Sequence, residues 1–207
     1  EELSRHQDQN PYTDEDYFAY VDGKPRYNGV RDFFASRGIT LPEGDPSDGP
    51  AAQTICGLGN RKNDLFNTVL ARDGIQPYPG SRRWVDRLHE SGMAMAVVSS
   101  SRNAAAVLKA AGMVEDFSVL VDGNRSKTER LPGKPAPDTY LRGAELLGVP
   151  AEQCVVVEDA VSGVRAGAAG GFGMVLGVNR GVGADRLREA GADRVVDDLD
   201  EMVEEMA

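Results

Sequence analysis

Val155-Val156-Val157-Glu158-Asp159-Ala160, followed at once by Val161-Ser162-Gly163-Val164-Arg165-Ala166-Gly167, decides how the chain reads. Three consecutive β-branched residues ending in two acids suit a buried strand that surfaces at its carboxyl end. Small and apolar residues at helical spacing come next, so a helix follows the turn. Adjacent carboxylates there would repel each other, and a hard divalent cation relieves that repulsion. The same two acids also suit a helix start, where the dipole favours negative charge.

Working outward, residues 76–207 repeat this rhythm. Helix 81–90 leads to strand 94–98, and helix 103–111 leads to strand 117–121. Helix 137–147 precedes strand 154–157, helix 161–169 precedes strand 173–176, and helix 184–190 precedes strand 194–196. Alternation of this kind predicts an α/β fold, a doubly wound (Rossmann-like) parallel sheet. Residues 1–75 read differently, as helices separated by loops. Thr13 with Asp14, Glu15 and Asp16 suits a helix start, Asn28 suits a second, and a third helix runs over residues 53–72.

Composition excludes several function classes. The 207 residues are 41% hydrophobic and 27% charged, as expected of an ordinary folded α/β protein. Acids outnumber bases 33 to 23, for a formal net charge of -10, which argues against a nucleic-acid partner. No apolar run approaches the ~18 residues of a membrane span. Cys56 and Cys154 lack metal-ligand spacing, so a reduced, cytoplasmic setting is expected rather than a disulfide framework.

Open α/β sheets bind ligands at the carboxyl ends of their strands. After Val97-Val98 stands Ser99-Ser100-Ser101-Arg102-Asn103, hydroxyls and helix-start amides that suit a phosphate and equally suit a plain helix cap. Leu131-Pro132-Gly133-Lys134-Pro135 holds a lysine in a proline-stiffened loop. Fixed there, the ammonium suits a transferring phosphoryl group; the alternative is a solvated surface turn.

Taken in order, Val98-Ser99-Ser100-Ser101, Gly133-Lys134-Pro135 and Val157-Glu158-Asp159-Ala160 with Gly163 resemble motifs two to four of the haloacid dehalogenase superfamily. The β-phosphoglucomutase-like subgroup is the nearest in pattern. The resemblance implies a magnesium-dependent phosphatase or phosphomutase acting on a small phosphorylated metabolite such as β-glucose 1-phosphate. It implies that Ser99 hydrogen-bonds the phosphoryl group, that Lys134 neutralises charge, and that Glu158 and Asp159 hold Mg2+. It also makes residues 1–75 a helical cap and residues 76–207 the core. Within the cap, Arg26 and Lys62 are implied sugar-phosphate ligands, with Ser100, Ser101, Arg102 and Asn103 supporting from the core. A monomer or weak homodimer is expected.

One part of the pattern is missing. The family's first motif, an apolar strand ending in Asp-x-Asp-Gly, supplies the nucleophile and the general acid and base. Asp14-Glu15-Asp16 follows no apolar strand, Asp198-Leu199-Asp200 reads as a cap of the last helix, and the Val-Asp-Gly triplets at Asp22 and Asp122 lack a second acid. The chain opens Glu1-Glu2-Leu3-Ser4 without Met, and residues 1–12 read as the tail of a helix. The expectation is therefore that the motif lies upstream of Glu1. A catalytically inactive binding or regulatory module is the alternative. A nucleotide-binding dehydrogenase, suggested by Gly57-x-Gly59, is set aside because those glycines fall within a helical pattern.

Overall fold

The computed structural model describes residues 11–205, and the chain divides between Gly74 and Ile75 into two units. In the first, Thr13 opens the short helix α1 (Asp14–Asp16) with a reciprocal capping box, its hydroxyl accepting from the Asp16 amide at 3.2 Å. The chain continues as a π-helical turn, Tyr17–Val21. Helix α2 (Arg26–Ser36) starts two residues before the expected Asn28. Pro25 sets the entry instead, with φ near -55°, and the Asn28 side chain accepts a bond from Arg31 at 3.1 Å. Helix α3 (Ile55–Asp73) is capped by Thr54, whose Oγ1 accepts from the Gly57 amide at 2.9 Å. It ends at Gly74, where φ of +68° requires a residue without Cβ strain. Phe33, Ile39, Ile55 and Cys56 are buried in this unit. Residues 1–10, most of the stretch read as a helix tail, lie outside the described residues.

The second unit alternates strands with helices. Its order is α4 (Pro79–Glu90), β1 (Ala96–Val98), α5 (Ala104–Ala110), β2 (Val119–Val121), α6 (Gly123–Glu129) and α7 (Asp138–Leu147). Then come β3 (Val155–Glu158), α8 (Val161–Ala169), β4 (Met174–Val178), α9 (Ala184–Glu189), β5 (Arg194–Val196) and α10 (Asp200–Glu205). All paired strands are parallel, with Val97 opposite Leu120, Val157 opposite Leu176, and Gly177 opposite Val195. Helix α6 is unanticipated in sequence. Asp122 caps it by accepting from the amides of Asn124 and Arg125.

Two ladders carry these strands. β1 pairs with β2, and β3, β4 and β5 form a second ladder in that order. Among the described residues β1 and β3 therefore have one partner strand each. Helix α7 joins the two, packing on β1 and β2 and touching α8. Val121, Val164, Leu176 and Leu187 are fully buried, and Leu176, Val178, Val196 and Leu199 cluster with Trp84 and Met202. This burial is what fixes the strand ends. At ~25 cal/mol per Å² of apolar surface, each such side chain contributes ~1.5–3 kcal/mol.

Candidate active site

Two strand ends converge on the first turns of α7. Val98, the last residue of β1, lies against α7 at Gly143, where an added Cβ would stand 3.0 Å from a Val98 methyl. Glu158, the last residue of β3, accepts a 2.8 Å bond from the Tyr140 hydroxyl, one turn earlier on α7. Val98, the residue before Ser99, and Glu158 are thus tied to neighbouring turns of a single helix.

Glu158 and Lys134 form a buried ion pair, with side chains 9% and 5% exposed. Lys134 Nζ donates to Glu158 Oε1 and lies 4.7 Å from the centre of the Tyr140 ring. Glu158 Oε2 accepts from the amides of Asp159 and Ala160, each at 2.9 Å. Burial alone pushes the Glu158 carboxyl up; the Lys134 ammonium, with hydrogen bonds from Lys134, the Ala160 amide and Tyr140, outweighs it and holds the group below the usual carboxylate range. Burial first, and then the Glu158 charge, push the Tyr140 phenol well up, so it remains a donor. Gly163 on α8 makes the arrangement possible, because a Cβ there would overlap the Glu158 carboxylate. The Lys134–Pro135 peptide is cis.

Ser99 extends the first ladder by one bond, its amide donating to Val121 O at 2.9 Å. Its hydroxyl accepts from the Ser101 amide, and the Ser101 hydroxyl accepts from the Asn103 amide, both at 3.1 Å. Two of the amides in this turn are thus engaged by serine hydroxyls. The β2–α6 junction clamps the turn from behind: Gly123 N donates to Ser101 O at 3.1 Å, and Asn124 Nδ2 donates to Arg102 O at 3.0 Å. A Cβ on Gly123 would approach Ser100 O to 2.7 Å.

In the other unit, Arg26 opens α2 and reaches across to α3. Its Nη1 donates to Asn60 Oδ1 at 3.2 Å and its Nη2 to Asn63 Oδ1 at 2.6 Å. Arg26 and Lys62 line one cavity of about 470 Å³, with Val30, Phe33, Leu58 and Leu65 among its apolar walls. Lys62 keeps solvent access, but crowding by surrounding protein, and then the Arg26 charge, lower its pKa.

The model of haloacid dehalogenase-like hydrolases matches residues 2–171. The chain belongs to that family. Relatives of this chain include a β-phosphoglucomutase of Mycobacterium bovis, 49% identical over 191 residues that make up 91% of this chain and 73% of that protein. A hexitol phosphatase A of Escherichia coli is 33% identical over 190 residues, 91% of this chain and 77% of the other. Among solved structures, a β-phosphoglucomutase from Clostridium difficile superposes with a TM-score of 0.75 at 20% identity, over 94% of this chain and 81% of its own. That likeness concerns the fold.

Among the described residues, no three His, Cys, Asp or Glu side chains gather in one place. Two carboxylates at the end of β3 are what remains, and they fit magnesium, which takes one or two carboxylates and fills its octahedron with water and phosphate oxygens. Glu158 is committed through both oxygens to Lys134, Tyr140 and the backbone, whereas Asp159 is exposed beside it.

Sequence reasoning passed over Tyr140, Asp122 and Asn63 as individual actors. Asp122 carried a readable signal, an acid after an apolar strand and before a polar helix start. Tyr140 carried none, since an aromatic on the inner stripe of an amphipathic helix reads as core.

Proposed function

We propose that this chain is the cap and most of the core of a magnesium-dependent phosphatase or phosphomutase for a sugar phosphate such as β-glucose 1-phosphate. The buried Lys134–Glu158 pair, with Asp159 beside it at a strand end, is the observation that carries the reading. A lysine fixed by a buried carboxylate and an aromatic face is pre-oriented to neutralise a phosphoryl group without moving. Ser99 hydrogen-bonds the same group. Asp159 would hold magnesium, which when bound supplies positive charge to the phosphoryl oxygens, while Glu158, with both oxygens engaged, fixes Lys134. Arg26 and Lys62 receive the part of the substrate that does not react, at the cavity that both line.

The 207 residues contain no apolar strand ending in Asp-x-Asp-Gly, so the chain alone is expected to turn nothing over. The second reading is an inactive sugar-phosphate-binding module. Joining an apolar strand that ends in Asp-x-Asp-Gly ahead of Glu1 separates the two. Magnesium-dependent conversion of β-glucose 1-phosphate to the 6-phosphate marks a mutase, and release of phosphate marks a phosphatase. Either activity should vanish in Lys134→Ala. A folded chimaera that binds the sugar phosphate but performs neither reaction supports the module instead.

A further inference from the structure

In an acidic chain, arginines readily find carboxylates. Arg31 bonds Glu43 at 2.6 Å, Arg37 bonds Asp16 at 2.6 Å, and Arg142 bonds Glu129 at 2.8 Å. Arg26 differs. Both of its terminal nitrogens are held by asparagine amide oxygens, and among the described residues no carboxylate forms an ion pair with it. We propose that Asn60 and Asn63 are positioning residues that form a charge-neutral clamp, fixing the Arg26 guanidinium while leaving its positive charge available to an anionic group of the substrate. This rests on the reading of Arg26 as a phosphate ligand and assigns that ligand its support.

Three features give the clamp its direction. The Asn60 amide cannot turn round, because its Nδ2 donates to Pro46 O at 3.1 Å and to Asp48 O at 2.9 Å. Its oxygen therefore faces Arg26 and also accepts from the Tyr27 hydroxyl at 3.0 Å. Beneath them, Gly59 lets the arginine stem lie on the backbone of α3: a Cβ there would stand 3.2 Å from Arg26 Cγ and 2.7 Å from the Tyr27 ring. Finally, the neighbouring cation Lys62 lines the same cavity, whose apolar walls include Val30 and Leu58. Two cations with no carboxylate partner among the described residues, beside an apolar wall, are unfavourable until an anion arrives. A guanidinium already held by two bonds loses little further freedom when it binds one.

Asparagine is essential to this account, since aspartate at the same place would keep the hydrogen bond and cancel the charge. The test uses the full chain and β-glucose 1-phosphate as probe, with dissociation constants from NMR titration and stability from thermal melts. Arg26→Ala should weaken binding about tenfold, the scale of one charge-assisted contact. Asn63→Asp should weaken it to a similar degree while the melting temperature stays level or rises, because an ion pair has been gained. Asn63→Ala should weaken it about threefold, and Arg26→Ala with Asn63→Ala together should be no worse than Arg26→Ala alone. If the probe causes no shifts in the unmodified protein, or Arg26→Ala binds it normally, the reading of Arg26 falls and the clamp with it. If Arg26→Ala is weakened but Asn63→Asp binds as well as the unmodified protein, or the double variant is additive, the clamp alone is overturned.

Discussion

Glu158 uses both carboxylate oxygens inside the protein, and removing its charge leaves the Lys134 ammonium buried without a counter-charge. Glu158→Gln is therefore expected to destabilise the fold by ~3–5 kcal/mol, the usual penalty for breaking a buried pair from one side. Chemical denaturation at neutral pH measures it. The pH dependence has a definite sign. Because the folded carboxyl titrates below its ordinary range, its contribution is complete above that range and is lost as pH falls through the lower, folded value. The gap between the two proteins should accordingly narrow as pH falls into the acid range; a gap that widens in acid would contradict the assignment. The value of this pair was partly legible in sequence. Lys134 and Glu158 each stood where a strand or a stiff loop delivers a side chain, but their direct contact joins segments 24 positions apart and no local pattern encodes it.

At the scale of elements, caps and glycines carry much of the architecture. Asp122 is 8% exposed, closes the N-terminus of α6 through two amides, and bonds the Asn124 side chain that holds Arg102 O. Asp122→Ala should cost ~1 kcal/mol as a lost cap. Because that junction backs the serine turn, amide exchange at residues 99–103 should quicken as well, and unchanged exchange there would show the clamp to be unnecessary. Helix α8 and strand β5 follow the ranges that periodicity predicts, since a regular pattern packed on a regular neighbour leaves little choice. The start of α2 does not follow its prediction. A proline outranked the asparagine three positions later, because a fixed φ acts on the backbone directly whereas a side-chain cap competes with other partners. Helix α6 escaped notice because its residues, Gly123-Asn124-Arg125-Ser126-Lys127-Thr128-Glu129, show no apolar stripe at all. It is held by its cap and by tertiary contacts.

At the scale of the whole molecule, the parallel strands and their helices were readable from the alternation of valine-rich runs, but the division into two ladders was not. Periodicity reports that strands exist and says nothing about which pair together. Among the described residues β1 and β3 are each paired on one side only, so an apolar strand joined ahead of Glu1 would find unpaired backbone at either ladder. The chimaera described above should therefore melt higher than the unmodified chain, with slower amide exchange in β1 and β3. Equal melting temperatures and unchanged exchange would show that the added segment packs elsewhere. Expressed alone, the 207-residue chain would then carry adhesive borders at these ladders, each able to recruit the same border of another copy. Dilution and a mild chaotrope should then keep solutions clear, while concentration should turn them cloudy well below the temperature at which the helices melt.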